Sequence, residues 1–235
     1  MKINNRIIVA LDVSDLDEMR SLVETLAPFV GYFKVGLELI TSVGAPQAVR
    51  AIHEAGGQVF LDGKFHDIPN TVEAASRSAA KLGVQIFNVH ASAGREALLR
   101  ANQVKQDSLL FGVTVLTSTD PTTCESIYHA SIQHQVLTLA KATQAAQLDG
   151  IICSAQDLFF LNEEESLRPL LKMTPGIRPH WAQTNDQKRT LTPKEAILAG
   201  ADLLVLGRPI THPPSSVGSP VEAAKQILDE MGEAL

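Results

Sequence analysis

The chain has 235 residues, of which 45% are hydrophobic and 20% charged, the values of a globular protein able to bury a large core. A formal net charge of −6 with scattered basic residues argues against a nucleic-acid partner. It leaves room for an anionic small molecule held in a local basic pocket. No apolar run approaches the roughly 20 residues of a membrane helix, so no membrane partner is expected.

Met1-Lys2 leads directly into a strand pattern, with no signal-peptide signature. Cys124 and Cys153 lie far apart, without a Cys-x-x-Cys or a histidine at metal spacing. The expectation is two free thiols in a reducing cytoplasm.

A β-rich run followed by a helical segment recurs along the whole chain. Ile7 to Leu11 reads as the first strand, closed by Asp12. A helix follows, capped by Ser14 or Asp15, with apolar residues at Leu16, Met19, Leu22, Val23 and Leu26. Tyr32 to Gly36 is the second strand, and Pro46 to Ala55 a helix stopped by Gly56-Gly57. The third strand starts at Val59, and its helix runs from Pro69 to Leu82. Gln85 to Val89 is the fourth strand, with a helix from Gly94 or Arg95. Leu109 to Leu116 is the fifth, followed by a long helical region to Leu148. Gly150 to Cys153 is the sixth and Lys172 to Thr174 a weak seventh. Thr192-Pro193 opens the seventh helix, Asp202 to Leu206 is the last strand, and Pro220 to Met231 the last helix.

Eight strand–helix units with no spare segment predict a single (β/α)8 TIM barrel over residues 1–235. The alternative is a doubly wound open sheet, which needs fewer strands and usually a Gly-rich first turn. Here that turn is Leu11-Asp12-Val13-Ser14.

In such a barrel, chemistry sits at the C-terminal ends of the strands. The richest stretch is Val59-Phe60-Leu61-Asp62-Gly63-Lys64-Phe65-His66-Asp67-Ile68-Pro69-Asn70-Thr71. Strand alternation puts Phe60, Asp62 and Lys64 on one face and Val59, Leu61 and Gly63 on the other. Two readings fit this stretch alone. Asp62 and Lys64 are either a working acid–base pair or a salt-bridged strand end, with Asp67 capping the next helix and Pro69 in its first turn. Asp12 and Lys34 end neighbouring strands, which favours a functional charge network over a lysine that merely snorkels at the rim. Thr117 and Ser118 end the fifth strand.

Gly207-Arg208 after the eighth strand sets a bare backbone N–H beside a guanidinium, where such barrels often hold phosphate. Arg178 follows the seventh strand. The polar loop from Gly176 to Arg189 is too long for a simple connection and reads as a lid. A solvated loop and a surface arginine remain the competing reading. The histidines form no ligand set, so His66 and His90 read as hydrogen-bonders at the rim or core and no metal site is expected.

Asp62-Gly63-Lys64-Phe65-His66-Asp67-Ile68-Pro69-Asn70-Thr71 resembles the signature of the orotidine 5′-monophosphate decarboxylase family, in its bacterial form. Ala10-Leu11-Asp12, Phe33-Lys34-Val35-Gly36, Asn88-Val89-His90-Ala91, Val115-Leu116-Thr117-Ser118, Asp149-Gly150 and Cys153-Ser154 agree with it. So do Thr174-Pro175-Gly176-Ile177-Arg178, Asn185-Asp186-Gln187 and Val205-Leu206-Gly207-Arg208-Pro209-Ile210, in family order over nearly the whole chain. One departure is Gly63, where bacterial members usually carry leucine; the expectation is a packing loss toward the helix layer and no change of mechanism.

The resemblance implies a cofactor-independent carbon–carbon lyase that converts orotidine 5′-monophosphate to uridine 5′-monophosphate. It implies Lys64 as proton donor, Asp62 near the departing carboxylate, and Lys34 and Asp12 orienting the network and binding ribose. It sends Asp67, Ile68 and Thr71 to the substrate, counts Asp67 with Lys64, Asp62 and Lys34 among the catalytic residues, and has Asp67 and Thr71 cross to the neighbouring site of a homodimer. Thr117 and Ser118 match the segment that contacts the pyrimidine, and Arg178, Gln187, Gly207 and Arg208 the phosphate grip. Two rivals are a magnesium-dependent sugar-phosphate decarboxylase or aldolase on the same scaffold, and a non-catalytic nucleotide-binding barrel.

Overall fold

A computed structural model describes residues 2–182 and 190–234. Its strands are β1 (Ile7–Ala10), β2 (Tyr32–Val35), β3 (Val59–Phe65), β4 (Ile86–His90), β5 (Leu109–Val113), β6 (Gly150–Ile152), β7 (Leu171–Thr174) and β8 (Leu203–Leu206). They pair in sequence order, every pair parallel, and β8 returns to β1 to close the barrel. The open-sheet alternative is thereby excluded.

Alternation along the strands divides the apolar residues into two bodies. Ile8, Ala10, Phe60, Ile86, Phe111, Met173, Leu203 and Val205 form one cluster, the packed interior of the barrel. Their neighbours Ile7, Val9, Val59, Leu61, Phe87, Val89 and Leu204 belong to a second, larger cluster between strands and helices. With both faces covered, the strands read as unbroken apolar runs rather than alternating ones.

The helical layer comprises α1 (Leu16–Leu26), α2 (Leu37–Ser42), α3 (Ala45–Glu54), α4 (Pro69–Lys81), α5 (Arg95–Val104), α6 (Pro121–Tyr128), α7 (Ile132–Ala145), α8 (Leu158–Leu161), α9 (Pro193–Leu198), α10 (Arg208–Thr211) and α11 (Pro220–Gly232). Side-chain caps start several of them. Asp15, not Ser14, caps α1 by accepting from the backbone N–H groups of Asp17 and Glu18. Thr192 with Glu195, and Ser219 with Glu222, form capping boxes on α9 and α11.

Some boundaries differ from the sequence expectation, for local reasons. The long helical region before Leu148 is two helices, because His129 adopts φ 52° after α6 and Ser131 caps α7 afresh. β5 stops at Val113, short of Leu116, where both the backbone N–H and the hydroxyl of Thr114 turn to the Ile152 carbonyl. α2 fills the space after Gly36 where no helix was expected. Asp67 is not the cap of α4. That position belongs to Ile68, and the Asp67 carboxylate accepts from the Ile68 N–H at 2.6 Å.

Gly63 leaves no gap. A Cβ there would lie 2.7 Å from the Phe65 ring, which packs with its centroid 6.2 Å from that of Phe87. The expected packing loss is therefore not present, because Phe65 has taken the space. Asp149 has a structural task, accepting from Lys105 Nζ at 2.6 Å and from the Leu110 N–H at 2.7 Å.

Candidate active site

β3 breaks its ladder with β4 just where its apolar run ends. Leu61 pairs with Phe87, but the next partners are Phe65 and Val89, so four residues of β3 advance against two of β4. Inside this bulge Lys64 takes φ 48°, a left-handed conformation that a non-glycine residue adopts only when its surroundings hold it there. The Lys64 N–H, turned out of the ladder, donates instead to Asn88 Oδ1 at 2.8 Å. Its ammonium curls back and donates to Asp62 Oδ1 at 2.6 Å.

The neighbouring strands supply the rest. Asp12 follows β1, and Lys34 lies in β2 between them. Lys34 Nζ is 3.1 Å from Asp12 Oδ1 and 3.5 Å from Asp62 Oδ2. Asp12, Lys34, Asp62 and Lys64 thus alternate in sign across three adjacent strands. The inner pair is buried, with the Lys34 and Asp62 side chains only 13% and 10% exposed, while Lys64 is half-buried and Asp12 lies open to solvent at the outer end.

Burial by itself would raise the Asp62 carboxyl. The charges of Lys34 and Lys64, with hydrogen bonds from Lys64 and Asn88, outweigh that and hold it below the ordinary aspartate value. The carboxylate is therefore ionised in the folded protein at neutral pH.

Lys34, Asp62 and Lys64 form one wall of a cavity of about 210 Å³. Its floor and far side are apolar, with Phe60, Val113, Ile152, Met173 and Val205, while Thr117 and Ser118 contribute polar groups at the edge. Fixed charges facing a largely apolar space act with little screening by water.

Gly207 ends β8 beside this wall. A Cβ there would come within 3.3 Å of Asp12 Oδ2 and 3.5 Å of Ala10 Cβ, so glycine keeps the approach to Asp12 open. Arg208 opens α10 at the same rim. Arg178 is 8% exposed, its Nη1 donating to the Ile177 carbonyl and its N–H to the Leu191 carbonyl. It lies beneath the rim rather than displayed on it. Gln187, with the stretch from Gln183 to Arg189 of the expected lid, lies outside the described residues. Asp67, Ile68 and Thr71 line no part of the cavity; all three are exposed, Ile68 by 66%.

His66 and His90 do sit at the rim, ring centroids 5.3 Å apart, with His66 Nε2 3.5 Å from Ser92 Oγ. Burial, then the neighbouring His66 and Lys64, lower the His90 pKa, with Asp62 opposing. Among the described residues, no three His, Cys, Asp or Glu side chains converge as metal ligands. No helix there is long and apolar enough to cross a membrane. Asn88 is the site residue to which the sequence reading gave no role. Its signal was present: an amide in the middle of the apolar run Ile86-Phe87-Asn88-Val89.

A closed parallel (β/α)8 barrel with a carboxylate–ammonium array at its C-terminal mouth places the chain among the barrel enzymes. The chain belongs to the orotidine 5′-phosphate decarboxylase / HUMPS family, whose model matches residues 5–227. It is 42% identical over 234 residues to the orotidine 5′-phosphate decarboxylase of Geotalea uraniireducens, covering 96% of this chain and 95% of that protein. It is also 42% identical over 242 residues to the enzyme of the same name from Moorella thermoacetica, covering 98% and 94%. The crystal structure of orotidine 5′-phosphate decarboxylase from Lactobacillus acidophilus superposes with a TM-score of 0.81 at 32% identity, over 96% of this chain and 98% of that one.

Proposed function

We propose that the protein decarboxylates orotidine 5′-monophosphate to uridine 5′-monophosphate in pyrimidine biosynthesis, in the cytoplasm, with residues 1–235 as one catalytic barrel. The observation that carries this reading is the Asp12–Lys34–Asp62–Lys64 array, whose Lys34, Asp62 and Lys64 line the largely apolar cavity. The C6–carboxylate bond breaks, carbon dioxide departs, and the bonding pair stays on C6. No group within the ring delocalises that pair well, so stabilisation comes from cations already in place. Lys64 supplies both the nearby charge and the proton that C6 takes up, and regains a proton from solvent afterwards.

In this reading Asp62 lies beside the substrate carboxylate, while Lys34 holds Asp62 and Asp12 in register and Asp12 takes a ribose hydroxyl. Thr117 and Ser118 face the pyrimidine. Gly207, Arg208, Arg178 and Gln187 take the phosphate. Asp67 and Thr71, with Ile68 beside them, serve the neighbouring site of a homodimer, which fits their position outside their own cavity.

The magnesium-dependent relatives carry a carboxylate where this chain has Lys34. An ammonium 3.1 Å from Asp12 and 3.5 Å from Asp62 occupies the place that such a cation would need. The test is loss of orotidine monophosphate, followed by absorbance with and without chelator. Turnover that chelator leaves unchanged, and that Lys64→Ala lowers by at least about 10²–10⁴-fold while a uridine monophosphate analogue still binds, is the expected result. Near-normal turnover by that variant would refute the assignment of Lys64.

A further inference from the structure

Asn88 is fully buried in β4. Its neighbours Phe87 and Val89 face the helix layer, so its side chain faces the barrel interior. An amide enclosed among apolar groups is destabilising unless both its donor and its acceptor are used. Here both are, and both go to β3. Nδ2 donates to Asp62 Oδ1 at 2.7 Å, and Oδ1 accepts from the Lys64 N–H at 2.8 Å. One side chain thus grips the two residues on either side of Gly63.

We propose that Asn88 is a positioning residue for the reaction, holding the Lys64 backbone in its left-handed turn while fixing the Asp62 carboxylate against the cavity wall. The proposal rests on the decarboxylase reading. The acceptor half replaces the ladder hydrogen bond that the bulge removes, and so aims the lysine side chain back along its own strand. The donor half shares Asp62 Oδ1 with the Lys64 ammonium, leaving Oδ2 toward Lys34. When Lys64 gives its proton to C6, its hold on Asp62 weakens. A carboxamide does not titrate, so Asn88 keeps the carboxylate in place through that step and lets the lysine move without stranding a buried charge.

Two variants separate this from a merely structural role. Asn88→Asp is nearly isosteric and keeps an acceptor for the Lys64 N–H, but its donor exists only while the introduced carboxyl is protonated. Two carboxylates at this spacing do not ionise together readily, so the introduced group keeps a proton at low pH and donates as the amide did. The other charged or titratable groups around Asp62 are Asp12, Lys34, Lys64, His66 and His90, and all are left unchanged.

The ratio of variant to wild-type kcat should then fall by about tenfold or more as pH rises from about 5 to about 8, with KM moving less than kcat. A ratio independent of pH overturns the proposal. Should Asn88→Asp fail to fold, Asn88→Ser, too short to bridge both groups, should lose about tenfold in kcat with analogue binding kept. Unchanged kcat in that variant, or failure of both to fold, assigns Asn88 to the fold alone and overturns the proposal. A wild-type protein that released no carbon dioxide from orotidine monophosphate would refute the decarboxylase reading itself, independently of either variant.

Discussion

Replacing Gly36 with alanine should damage the site while sparing the fold. The backbone there has φ −96° and ψ −174°, which alanine adopts without strain. The added Cβ would, however, lie 2.7 Å from Lys34 Nζ and 3.9 Å from Asp12 Oδ1. To regain ordinary contact at 3.4 Å the ammonium must retreat by about 0.7 Å, which the end of a flexible lysine does easily. Lys34 Nζ starts from a hydrogen bond of 3.1 Å to Asp12 and an ion pair of 3.5 Å to Asp62, and a displacement of that size disturbs the geometry of both. A hydrogen bond to a charged group contributes about 1.5–3 kcal/mol, and a misplacement near 1 Å can cost about 10²-fold in rate. The expected loss in kcat/KM of Gly36→Ala is accordingly about 10–100-fold, with the melting temperature within about 2 °C of wild type. Steady-state decarboxylation and a thermal melt on the same preparation check both halves. A variant within twofold of wild type in kcat/KM would mean that the Lys34 position described here is not the working one.

Arg208→Ala should weaken phosphate-bearing substrates by about 10–100-fold in kcat/KM and barely alter reaction of the phosphate-free nucleoside. Equal losses for both substrates would assign the arginine to the fold. Mixing inactive Lys64→Ala with inactive Asp67→Ala subunits should restore roughly a quarter of wild-type activity, since about half of randomly reassorted dimers hold one intact site. No recovery, once exchange is demonstrated by mass, would exclude a shared site. Because His90 is depressed in the folded protein, the unfolded chain binds its proton first as pH falls below about 6.5, and the fold loses stability from there until His90 itself is protonated. His90→Gln should therefore show a smaller drop in melting temperature between about pH 7 and pH 5 than wild type, and an equal drop would refute that origin.

The barrel was legible because eight apolar runs, each followed by a helical pattern, leave few other ways to bury so much surface. Asp12, Lys34, Asp62 and Lys64 were legible for the opposite reason, as charges where an apolar strand gives out. The left-handed Lys64 was not. Strand alternation already placed Asp62 and Lys64 on one face, so nothing called for a bulge between Leu61 and Phe65. Arg178 was assigned to the phosphate grip by the resemblance alone, and a single arginine in a polar loop does not reveal that it will lie buried with Nη1 donating to the Ile177 carbonyl. Asn88 was visible as an oddity, but its two bonds depend on the bulge and could not be read before it.

With Lys64 as the proposed proton donor, its backbone also sets stability and activity against each other at one residue. Glycine reaches φ 48° freely and asparagine tolerates it, whereas lysine is held there by its neighbours. A directed-evolution screen that rewarded only heat resistance would tend to enrich glycine or asparagine at this position and discard the ammonium. The most durable clones from such a screen would then be dead ones, so libraries built on this scaffold need a turnover readout from the first round.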